Sequence, residues 1–73
     1  MSRYKIHLET YHDAAKLANI AESLDMPITL TDGLSMRVNA KSVMGALYSM
    51  EFNAIWIESN EEIPYHLFAE FIV

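Results

Sequence analysis

Two residues of this chain are placed where they could do chemistry, a histidine and a serine, each at the start of a predicted helix. His12 and Asp13 lead into Ala14, Leu17, Ala18, Ala21 and Leu24, whose helical spacing predicts a first helix from about His12 to Asp25. An imidazole there faces solvent beside free helix amides, which can hold anionic oxygens, so His12 is a candidate phosphoryl acceptor. Asp13 opposes this by placing a negative charge beside any incoming phosphoryl group, and no arginine accompanies the histidine. An ordinary exposed histidine is the simpler reading. Ser42 precedes Val43, Met44, Ala46, Leu47 and Met50, a short apolar stripe that makes the serine a helix N-cap. A phosphate on its hydroxyl would gain about 0.3 to 1 kcal/mol from the helix dipole and can pair with Lys41. Taken on residue type alone, Ser42 is a plain cap.

The remaining polar residues offer less. His7 and His66 fall on different elements, and with no cysteine in the chain no metal-ligand set is expected. Glu61 and Glu62 precede Pro64 and read as solvated charges at the start of a last helix. Neither a phosphate-cradling glycine loop nor a nucleophile–base pair is recognisable, so neither independent catalysis nor a cofactor is expected.

Ten acidic residues against five basic give a net charge of -5, which opposes a phosphate backbone, so nucleic acid is not an expected partner. Arg37 and Lys41 are close enough in sequence to form one small cationic spot, suited to a single phosphate or an acidic loop. At 73 residues, 52% hydrophobic and 21% charged, residues 1–73 are expected to form one folded domain. Without cysteine, such a domain depends on packing alone and suits a reducing compartment. The first nine residues alternate charged and apolar side chains, which predicts neither a signal peptide nor a membrane span; the expectation is a soluble cytoplasmic protein.

The elements that must position His12 and Ser42 follow from periodicity. Tyr4 to Thr10 alternates as a half-buried strand, with Tyr4, Ile6 and Leu8 on one face. Pro27 to Asp32 and Ser35 to Ala40 alternate likewise, and Asp32-Gly33 between them predicts a tight type I′ hairpin. Gly45 lowers the propensity of the second helix by about 1 kcal/mol relative to alanine, so that helix must be short or held by packing. Ala54 to Ser59 reads as the last strand, with Ile55 and Ile57 inward. Leu67, Phe68, Phe71 and Ile72 form the buried stripe of a final helix begun at Pro64. The order βαββαβα predicts an α+β open-faced sandwich, a four-stranded antiparallel sheet with three helices on one face.

The run Arg37-Val38-Asn39-Ala40-Lys41-Ser42-Val43-Met44-Gly45-Ala46-Leu47 resembles the regulatory-serine segment of HPr, the histidine-containing phosphocarrier of the bacterial sugar phosphotransferase system, and of its paralogue Crh. In that family a similar Val-Asn-x-Lys-Ser-Ile-Met-Gly stretch closes the third strand and opens the second helix. The element order is also the HPr order, so the resemblance covers nearly the whole chain, with its specific residues confined to Val38 through Leu47. It implies an HPr-like protein of carbon catabolite regulation and sugar transport, with Ser42 phosphorylated and Arg37, Lys41, Val43, Met44 and Leu47 as the contact surface. The implied partners are phosphotransferase-system proteins, such as enzyme I and HPr kinase, or a transcriptional regulator.

The family's Gly-Leu-His-x-Arg-Pro-Ala motif is missing. With Ala14-Ala15 set on the small residues after its proline, Asp13 replaces the proline, His12 the arginine, and Thr10 holds the histidine position. A threonine phosphoester is too stable for a relay, which leaves His12 as the alternative acceptor. A third reading is an HPr-fold structural module without phosphorylation. Tyr48, Phe52 and Trp56 supply aromatic area for core packing or homo-oligomerisation.

Overall fold

Side-chain alternation at the N-terminus survives in three dimensions, although the strand that carries it is displaced. A computed structural model describes all residues, Met1–Val73, and places the first strand, β1, at Ser2–Ile6 rather than Tyr4 to Thr10. Ser2, Ile6 and Leu8 are buried while Arg3, Lys5 and His7 are exposed. The first helix, α1, spans Tyr11–Glu22 and buries Ala14, Leu17, Ala18 and Ala21, the face its spacing predicts. It stops earlier than Asp25, with the Ser23 hydroxyl donating to the Ile20 carbonyl at 2.6 Å, and Leu24 is only partly buried.

Strands β2 (Thr29–Thr31) and β3 (Arg37–Asn39) form the expected hairpin, but not through a type I′ turn. Residues 32–36 make a five-residue loop in which Gly33 alone has positive φ, at 82°. The Asp32 carboxylate closes this loop by accepting from the Leu34 and Met36 amides at 2.8 and 3.1 Å. A side chain that bonds the backbone in this way favours a wider turn over the two-residue alternative.

The second helix, α2, spans Val43–Ser49, the last strand, β4, Ile55–Ser59, and a short α3 spans Tyr65–Phe68. All strand pairings are antiparallel, in the order β1-β4-β2-β3, and the three helices give the open-faced α+β sandwich that the periodicity predicts. Leu30 and Ile57 face each other in the middle of the inner face and are fully buried. Leu17, Ala46, Ile63 and Phe68 complete this core from the helical layer and the turn before α3. No helix is long and apolar enough to cross a membrane.

The C-terminal stripe departs from its predicted helix. Phe68 and Phe71 are buried, but Leu67 and Ile72 are only partly so, because the chain leaves helical geometry and lies along the free edge of β1. The His7 amide donates to the Phe71 carbonyl at 2.8 Å, and the Val73 amide donates to the Lys5 carbonyl at 3.1 Å. An edge strand offers unpaired amides and carbonyls, and here the tail takes up those at the C-terminal end of β1.

Candidate functional site

Ser42 sits where β3 gives way to α2, and the local sequence explains how the chain turns there. The Asn39 side-chain oxygen accepts from the Lys41 amide at 3.0 Å, and the Asn39 carbonyl accepts from the Ser42 amide at 3.2 Å. Ser42 then adopts extended backbone angles as N-cap, its hydroxyl oxygen accepting from the Gly45 amide at 3.1 Å. Its side chain is half-buried, and the first turn of α2 contains no acidic residue. Gly45 is there for steric reasons: a Cβ at this position would lie 2.6 Å from the Asn39 carbonyl oxygen. The glycine that weakens the helix by propensity is what lets α2 pack down onto the end of β3.

Immediately beyond the serine, α2 presents apolar side chains to solvent. Val43 and Met44 are 41% and 75% exposed, and Tyr48, one turn after Met44, is 51% exposed. The Tyr48 ring meets Phe52 edge to face, with centroids 5.9 Å apart. Leu47 is only partly buried and packs against the core together with Met50, while Ala46 and Ser49 are fully buried. The helix thus buries one face and leaves Val43, Met44 and Tyr48 on the other.

Arg37 and Lys41, expected to form one cationic spot, each meet a different partner. Alternation along β3 points Arg37 to the outer face of the sheet, away from the helices, where its guanidinium pairs with Glu58. Lys41 lies past the strand end and turns toward α1, its ammonium donating to the Leu24 carbonyl at 2.6 Å. The two cations are held by different partners, the Leu24 carbonyl and Glu58, and in sequence nothing marks either. Trp56 is likewise separated from Tyr48 and Phe52, because it lies on the outer face, with the Arg3 guanidinium 4.5 Å from its ring centre.

His12 is exposed in the first turn of α1, as expected. The start of this helix is already satisfied. Thr10 is the N-cap, its hydroxyl oxygen accepting from the Asp13 amide at 3.2 Å, and the Asp13 carboxylate accepts from the Glu9 and Thr10 amides at 3.0 and 3.3 Å. This reciprocal capping box gives both Thr10 and Asp13 a structural purpose and fixes a carboxylate beside His12. The Thr10-x-x-Asp13 spacing was visible in the sequence as a helix-start signal. No group of three or more histidine, aspartate or glutamate side chains is arranged to hold a metal ion.

The fold and this surface define a small α+β module that presents a capped serine beside an apolar patch. Compared with models of known protein families, with curated proteins and with solved structures, the chain finds no match in any of the three.

Proposed function

We propose that this protein is a cytoplasmic regulatory module related to HPr, which acts by protein–protein contact in phosphotransferase-linked carbon regulation and is switched by phosphorylation of Ser42. One observation carries the reading: the half-buried Ser42 hydroxyl lies next in sequence to Val43 and Met44, large apolar side chains left in solvent on a helix whose other face is core. A phosphate there adds close to two negative charges at the edge of an apolar contact surface. No carboxylate in the first turn of α2 repels it, and the helix dipole favours it. The methionine suits contact with partners of differing shape. Lys41 is taken up by the Leu24 carbonyl beyond α1 and Arg37 by Glu58, so a phosphate would be held by backbone amides rather than by these cations.

The competing site, His12, has a fixed carboxylate beside it and no arginine, which supports Ser42 over a histidine relay. Two parallel reactions distinguish the readings: phosphoenolpyruvate with enzyme I, and ATP with HPr kinase, each followed by mass spectrometry. Acid-stable phosphate on Ser42 from the second reaction alone is expected. Acid-labile phosphate on His12 from the first would replace this reading with that of a phosphocarrier. No label in either reaction would leave an HPr-fold module without phosphorylation.

A further inference from the structure

The outer face of the sheet, opposite the helices, concentrates cations in a chain of net charge -5. Residues paired across antiparallel strands share a face, so the register arranges this surface in two rows. One row runs Lys5, Trp56, Thr31, Arg37 and the other Arg3, Glu58, Thr29, Asn39. Three of the five cations are thus on one face, with Glu58 the single acid among the eight residues. Glu58 has a side chain only 12% exposed and pairs with both Arg3 and Arg37, which holds the two guanidiniums against the sheet. Arg3 also lies over the Trp56 ring, and the Lys5 ammonium stands 6.0 Å from that ring's centre. Lys5 is nonetheless exposed, as is the Arg37 side chain at 63%.

We propose that this face is a second docking surface, which takes an extended acidic segment of a partner protein, with carboxylates on Lys5 and Arg37 and the chain passing over Trp56. Lys5 and Arg37 are three strand spacings apart, about 14 Å, which matches glutamates four residues apart in an extended peptide. A hollow beside Arg37, lined also by Met1, Thr29 and Glu58, lies next to this track. Single-stranded nucleic acid fits less well: its bases need a free aromatic face, and the Arg3 guanidinium already covers Trp56. A face-to-face pair of this chain fits less well too, because it would bring two surfaces of the same, mainly positive, charge together.

Trp56 is the single tryptophan and reports occupancy through its fluorescence. The full chain is titrated at low salt with a short synthetic peptide carrying glutamates four residues apart, with its glutamine counterpart, and with oligothymidine. Saturable binding of the glutamate peptide alone is expected, about fivefold weaker in Lys5→Gln and in Arg37→Gln and unchanged in Lys16→Gln. Circular dichroism checks that each variant is folded, and all three substituted side chains are exposed. The proposal is overturned by equal binding of the glutamine peptide, by an equal loss in Lys16→Gln, by tighter binding of oligothymidine, or by no saturable change. A fluorescence change that follows protein concentration without peptide would show self-association and overturn it as well.

Discussion

Gly45 and Asn39 approach so closely that a Cβ built on the glycine would be 2.6 Å from the asparagine's carbonyl oxygen. That oxygen also accepts from the Ser42 amide, so it cannot move without disturbing the serine. Gly45→Ala should therefore destabilise the protein, although alanine is the better helix former by about 1 kcal/mol. Overpacking against a fixed backbone atom costs about 1 to 3 kcal/mol, so after the propensity gain a net loss of up to about 2 kcal/mol is expected from urea denaturation. A stabilised variant would show that α2 does not need this close approach.

Asp32 ties pH to stability through the hairpin loop. The Leu34 amide, and with it the Met36 amide, holds its carboxyl below the ordinary aspartate value of 3.8. A carboxyl depressed in the folded state contributes stability above its unfolded value and loses it as pH falls through the folded one. Between about pH 4 and pH 2, wild type should lose stability faster than Asp32→Asn, whose amide oxygen can keep the turn without titrating. Parallel slopes of the urea midpoint against pH for the two proteins would contradict this.

Lys41 is expected to act as a structural tie between α2's approach and the end of α1. Lys41→Met keeps the aliphatic stem but loses the charge-assisted bond to the Leu24 carbonyl, which should cost about 1 kcal/mol in equilibrium unfolding. Unchanged stability would return the ammonium to solvent, and with it a role in holding a phosphate on Ser42.

These positions also show how far the sequence could be read. Period-two alternation at Ile55 and Ile57 and helical spacing from Ala14 to Ala21 each reflect a single burial direction, so strands, helices and the open sandwich were legible from them. The Ser42 cap was legible for the same local reason. Partner choice was not. Whether Lys41 meets a phosphate or the Leu24 carbonyl, and whether Arg37 stands beside Ser42 or pairs with Glu58, depends on how distant segments pack. The tail escaped for a related reason. Leu67 to Ile72 has helical spacing, yet the open edge of β1 draws Ile72 into a bridge with Ile6.

The role of Ser42 is tested most directly by locating phosphate after reaction with ATP and HPr kinase, in wild type and in Ser42→Asn. Asparagine caps a helix about as well as serine, so this variant keeps the start of α2 and removes only the hydroxyl. Wild type should carry one acid-stable phosphate, on Ser42, and the folded variant none. Undiminished labelling of Ser42→Asn, or a wild-type protein that stays unlabelled, would contradict Ser42 as the switch.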